Sequence, residues 1–424
     1  MSASETDRAG SRSAEARRPV AAAGAQAAAS RTETVDASRL GRRVRLDERV
    51  SPLELFFDLV FVFALTQVTA LMAEEPTWEG VAKGMLVLAA LWWAWGAYAW
   101  LTNYINTDET RERLLLFASM AAMLVAALAV PHAFTDDGVL FACAYALVRW
   151  LHIFIFAEAN ENVDTAAAIR RLSRTALPGP ALLIVAGFLE GTAQGVLWIV
   201  ALAIDYSGPF IFGVRGFRVS AAHFAERFGL ILIIALGESI VAIGVGAQGI
   251  ELGAAVVSAA VLGVALAAAL WWAYFDVVAI AAERRFSGAT GEERILMARD
   301  SYSYLHLPMI AGIILVALGV KKTIGDVDEP LKTVPAAALL GGVALYYAAH
   351  VAFRLRNMGT VSRRRVVAAV ICLALIPVAT QVDALAALAL AATVAAGLIA
   401  YEAIRYGEER AGLQRGGVEE AAGG

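Results

Sequence analysis

The chain has 424 residues, 59% hydrophobic and 17% charged, with a mean hydropathy of +0.64. A soluble protein of this length carries far more polar surface, so the composition excludes that class and implies an all-α, polytopic integral membrane protein. The formal net charge of −4 and the lack of any basic stretch within the apolar runs give no reason to expect a nucleic-acid partner.

The lipid bilayer and an unknown small solute or ion are the expected partners, and a homo-oligomer is left open. Cys143 and Cys372 both lie in apolar segments and form no CxxC, so neither a disulfide framework nor a zinc site is expected. No metal and no cofactor is implied.

Residues 1–48 are rich in Ala, Arg, Ser and Glu and have no apolar core, which reads as a disordered tail without the apolar segment of a secretory signal. Arg39, Arg42, Arg43, Arg45 and Arg49 precede the first apolar run. They form a cytoplasmic anchor suited to anionic headgroups.

Runs of about 20 apolar residues mark spans. They fall near 53–73, 80–103, 114–132, 138–158, 177–191, 194–213, 224–246, 252–278, 303–320, 334–354, 364–381 and 384–404. Arginines gather in alternate loops: Arg111 and Arg113, Arg170 to Arg174, Arg215 and Arg218, Arg284 to Arg299, Arg354 to Arg365. The positive-inside rule then predicts twelve spans with both termini cytoplasmic, in the inner membrane. Residues 405–424 read as a short, charged, disordered cytoplasmic tail.

The chain also repeats itself. RVS at Arg49 recurs at Arg218, FALTQ (63–67) as IALGE (234–238), ALWWAW (90–95) as ALWWAY (269–274), RERLLL (111–116) as EERILM (292–297) and ALVRWLH (146–152) as ALYYAAH (344–350). The order is kept throughout. Two parallel six-helix repeats, 49–214 and 215–404, are expected, related by an axis along the membrane normal.

Ionisable groups inside spans are costly and mark candidate sites. In the first span Glu54 and Asp58 share one face, one turn apart, and Gln67 lies on roughly the opposite face. Glu54 also complements the positive end of the helix dipole. In the seventh span His223, Glu226 and Arg227 stack at three- and four-residue spacing, read as a local ion pair. Two of them fall short of a metal-ligand set.

Deeper in the seventh span Glu238, beside Gly237 and Ser239, is the leading candidate for binding a proton or cation. Arg149 and His152 share a face of the fourth span, with Arg149 a candidate counter-ion for Asp58 or Glu238. The stretch RDSYSYLHLP, with Asp300 and His306, reads as a helix lining a wet cavity. Histidine changes charge near neutral pH and suits a proton relay. The combined expectation is that Asp58 and Glu238 enter one central site from two related helices at different depths.

ELFFDLVFVFALTQVT, LWWAW and HFAERFGLILIIALGESIVAIG resemble the bacterial low temperature requirement A protein family, over about residues 49–400. The family name records a growth phenotype, and the resemblance implies a bacterial integral membrane protein. It carries over no catalytic residue. The FFD of the first span is also faintly similar to the FSD element of the endolysosomal potassium and proton channel family, with Phe57 in place of the serine.

No GxSxG, HExxH, Walker or Rossmann pattern is present, so catalysis is not the expected role. The working reading is a membrane transport protein, proton- or cation-coupled, of unknown substrate. The alternatives are a passive cation channel and an intramembrane lipid-modifying enzyme or stress-related structural membrane protein.

Overall fold

The computed structural model describes residues 49–105, 109–159 and 162–422, with side chains to residue 405. The tail expected over residues 1–48 lies outside the described residues. Among those described, the fold is entirely helical.

The helices are α1 (Pro52–Glu74), α2 (Trp78–Leu101), α3 (Thr110–Leu128), α4 (Gly138–Glu158), α5 (Val163–Ala176), α6 (Pro178–Ala186) and α7 (Gly191–Ile211). Then follow α8 (Ala221–Gly246), α9 (Ala254–Phe275), α10 (Val278–Gly288), α11 (Gly291–Met297), a π-helical turn (Ala298–Tyr304), α12 (His306–Gly325), α13 (Thr333–Met358), α14 (Arg363–Ala379) and α15 (Ala384–Ala422).

Nine helical stretches among the described residues are long and apolar enough to cross a bilayer. They are α1, α2, α4, α7, α8, Ala254–Gly288, Gly291–Gly325, α13 and Ala384–Arg405. The molecule is a multi-pass membrane protein.

Each of the three other predicted spans has a local reason for falling short. α3 opens on Arg111, Glu112 and Arg113. α6 has nine residues, about 14 Å of rise, and follows the amphipathic α5. α14 has 17 residues and begins with three arginines. Even so, α3 leaves Leu114, Phe117, Leu124 and Leu128 exposed, and α14 leaves Val366, Val367, Val370 and Ile371 exposed. Apolar rows of this kind belong against lipid tails.

The backbone of α15 stays helical to Ala422, where a disordered tail was expected from residue 405. Ala, Glu and Arg, all strong helix formers, make up ten of residues 405–422, against four glycines.

Local chemistry sets where the helices begin. Ser51 accepts from the Glu54 N–H at 3.3 Å while the Glu54 carboxylate accepts from the Ser51 N–H at 2.7 Å. This capping box, with Pro52 at the first helical position, starts α1 one residue after Ser51. α13 ends where Gly359 takes a left-handed conformation, φ 66°.

The interior is built on close contact between α12 and α13. At their crossing, Gly312 and Gly342 bring the two backbones together, and a Cβ on Gly312 would lie 2.7 Å from the Gly342 carbonyl oxygen. α1 packs on α2, α3, α8 and α12, so its polar face is enclosed by protein.

Candidate functional site

α1 and α8 lie side by side, each entered through an Arg-Val-Ser stretch. From α8, Arg227 reaches across to α1. Its Nη2 donates to Asp58 Oδ1 at 2.9 Å, and its Nη1 lies 3.3 Å from Glu54 Oε1. His223, one turn earlier, places Nε2 3.0 Å from Glu54 Oε1. Trp95 of α2 donates its indole N–H to Asp58 Oδ1 at 2.9 Å, and the Arg227 guanidinium sits 5.6 Å from its ring centroid. Arg227 and Asp58 have no exposure to solvent.

The charge count of this group is uneven. Two carboxylates face one guanidinium, so with His223 neutral the cluster carries one net negative charge. A proton on the His223–Glu54 pair brings it to zero. Uncompensated charge in a low-dielectric interior is strongly unfavourable. Asp58 Oδ2 and Arg227 Nε are buried without hydrogen-bond partners, so the network is not fully satisfied.

Seen from the sequence, Arg227 was a local partner of His223 and Glu226. The structure corrects this: Glu226 is exposed and accepts from the Val50 N–H at 3.1 Å, while Arg227 pairs across helices.

Glu238 lies eleven residues beyond Arg227 on α8, about 16 Å along the axis, past buried Ile231, Leu232 and Ala235. It accepts from the Thr66 hydroxyl of α1 at 2.6 Å and has no ion-pair partner among the described residues. The neighbouring Ser239 hydroxyl is buried and unpartnered. Asp58 and Glu238 therefore occupy two layers of the α1–α8 interface and do not form one site. Gln67 is half-buried and joins neither layer among the described residues.

Arg149 is not a counter-ion for either carboxylate. It makes a bidentate pair with Asp205 of α7, Nε to Oδ2 at 3.0 Å and Nη2 to Oδ1 at 2.7 Å, both residues buried. His152, one turn on, is buried near Tyr98, ring centroids 5.6 Å apart, with neither ring nitrogen hydrogen-bonded. Arg149 and His152 border a cavity of about 70 Å³ whose walls include Trp92, Trp93, Trp100 and Tyr304.

The RDSYSYLHLP stretch adopts the π-helical turn, and its polar groups mostly tie helices together. Asp300 pairs with Arg299 at 2.6 Å and Arg356 at 2.9 Å. Ser301 donates to Asn357 at 2.7 Å. Ser303 receives the indole N–H groups of Trp92 and Trp100 at 2.8 and 2.9 Å. His306 Nε2 lies 2.9 Å from the Tyr274 hydroxyl. Of this stretch, Arg299, Ser303 and Tyr304 line the cavity beside Arg149.

Three features were not anticipated. Asp205 is a lone carboxylate in an apolar span, a signal the sequence does carry. Trp95 as a donor to Asp58 has no sequence signal. The third is a cluster in which Arg365 bonds His350 Nδ1 at 2.6 Å and Glu402 at 3.3 Å.

The model of the family described as bacterial low temperature requirement A protein (LtrA) matches residues 49–400. The chain belongs to the LtrA family. This LtrA family member is also 32% identical over 313 residues to a protein of Rhizobium meliloti (strain 1021) named "Uncharacterized protein RA0937", covering 70% of this chain and 74% of that one. No solved structure is significantly similar. The family match spans both polar layers of the α1–α8 interface and the Arg149–Asp205 pair.

Proposed function

We propose that this LtrA family protein is a proton-coupled transporter of a small solute. The observation that carries the proposal is the charge imbalance at Glu54, Asp58, Arg227 and His223: a fully enclosed group that is one proton short of neutrality is suited to taking up and releasing a proton. Glu238, whose carboxylate accepts from the Thr66 hydroxyl, is the second station along the same interface. The aromatic cavity beside Arg149 and His152 is the proposed solute site.

In this reading the chain crosses the bacterial inner membrane twelve times, as two parallel six-helix halves, with both termini in the cytoplasm. Related arrangements in the two halves support it. Asp205, on the sixth predicted span of the first half, pairs with Arg149 of the fourth, and Glu402, on the sixth predicted span of the second, pairs with Arg365 of the fifth. His152 and His350, matched by the internal repeat, lie beside Tyr98 and Tyr274 at 5.6 and 5.8 Å.

The test uses proteoliposomes enclosing a pH-sensitive dye, challenged with a panel of amino acids, sugars, organic acids and amines. At least one solute is expected to move protons with wild-type protein and to lose that coupling with Asp58→Asn and Glu238→Gln. Proton movement of equal size in both variants, or none with any solute, overturns the proposal.

A further inference from the structure

A cavity in the second half plays no part in the transport reading. It holds about 570 Å³ between the C-terminal ends of α9 and α13, the starts of α10 and α14, and Tyr401 and Glu402 of α15. Arg354, Arg363, Arg364 and Arg365 line it, opposed by the carboxylates of Asp276 and Glu402, so its walls carry a net charge of +2.

The placement of these arginines runs against helix electrostatics. Arg363, Arg364 and Arg365 are the first three residues of α14, where the helix dipole is positive and basic side chains are unfavourable. Glu402 answers Arg364 and Arg365, at 2.6 and 3.3 Å. Arg363 is exposed at the cavity.

The helix start is uncapped as well. Ser362 occupies the N-cap position and its side chain makes no capping bond. The residue is 6% exposed, it lines the cavity, and its hydroxyl has no hydrogen-bond partner. Open N–H groups of a first turn, an uncommitted hydroxyl and an excess of guanidinium charge together make an anion site.

The surroundings identify the source of the anion. Trp272, Val361 and Tyr401 line the same cavity and are 43%, 51% and 54% exposed. The adjoining face of α14 is the row Val366, Val367 and Val370, exposed where lipid tails would lie. A polar pocket bordered by aromatic residues and an apolar face matches a headgroup with its acyl chains attached.

We infer that this pocket binds the phosphate of an anionic phospholipid, reached from the arginine-rich side of the membrane. Arg363, Arg354 and Ser362 contact the phosphate, and Arg364 and Arg365 add potential while holding Glu402. The site does not depend on whether the α1–α8 interface moves protons.

Purified, delipidated full-length protein would be incubated with phosphatidylglycerol or phosphatidylcholine of matched chains, and bound lipid counted by native mass spectrometry. Wild type is expected to retain phosphatidylglycerol preferentially. Arg363→Ala should lower that preference roughly fivefold and Arg354→Ala/Arg363→Ala roughly thirtyfold, since each arginine near a charged headgroup contributes about that much. Arg111→Ala, at an exposed ion pair elsewhere, should leave it unchanged.

Arg363 is exposed, so the single variant reports binding even where the double variant fails to fold. Equal retention of the two lipids, or a preference unchanged by Arg363→Ala, overturns the inference. Displacement of phosphatidylglycerol by millimolar inorganic phosphate, with the phosphate alone stabilising the protein to the same extent, would assign the site to a soluble phosphate and overturn the lipid.

Discussion

Arg227 donates to Asp58 at 2.9 Å between two helices that start 169 residues apart, and neither side chain touches solvent. A buried pair of this kind is a poor source of net stability, but removing one partner strands the other. Arg227→Met leaves Asp58 and Glu54 without a guanidinium and should cost about 3–5 kcal/mol. Thermal unfolding in detergent is the measurement. Arg227→Met/Asp58→Leu should regain part of the loss, because it removes both charges. A single variant as stable as wild type would mean the pair does not hold α1 to α8.

Trp95 separates the hydrogen bond from the packing. Its N–H serves Asp58, and its ring packs on Phe228 at 4.9 Å. Trp95→Phe keeps an aromatic ring and withdraws the donor from an already unsatisfied carboxylate. A hydrogen bond to a charged group contributes about 1.5–3 kcal/mol, so a loss of that order is expected in the same unfolding assay. Trp93→Phe is the control, since the Trp93 indole N–H is buried without a partner; its cost should be smaller.

Glu238 allows charge to be removed with little change of shape. Glu238→Gln retains an oxygen for the Thr66 hydroxyl and takes away the ionisable group. The variant should unfold within a few degrees of wild type and should abolish solute-driven proton movement. Retained proton movement would place the coupling path elsewhere, with the Asp58 layer the remaining candidate.

The sequence made the buried carboxylates visible because a charge stands out in an apolar window. Asp58, Glu54 and Glu238 were legible for that reason, and Asp205 was legible by the same rule. Their partners were not. Arg227 sits four residues from His223, a spacing that points to a local contact, yet a buried guanidinium follows the nearest carboxylates, and those lie on another helix. Nor could the faces of the helices be read. A span is apolar toward lipid and toward its neighbours alike, so periodicity does not separate the two. Small residues carry some of that missing information.

Gly312 and Gly341 make that point testable. Gly312 stands where α12 meets α13, and a Cβ there would lie 2.7 Å from the Gly342 carbonyl oxygen and 2.9 Å from the Tyr346 backbone nitrogen. Neither neighbour is a flexible side-chain end, so the two helices would have to move apart. Gly341 is one residue from this contact on α13, and a Cβ there meets nothing within 4 Å. Both substitutions to alanine raise helix propensity by the same amount, about 1 kcal/mol, so the difference between them isolates the clash. Overpacking of a close interior contact costs about 1–3 kcal/mol. Gly341→Ala should therefore unfold at or slightly above the wild-type temperature and Gly312→Ala clearly below it. Equal stabilities would mean that α12 and α13 do not approach this closely in the bilayer.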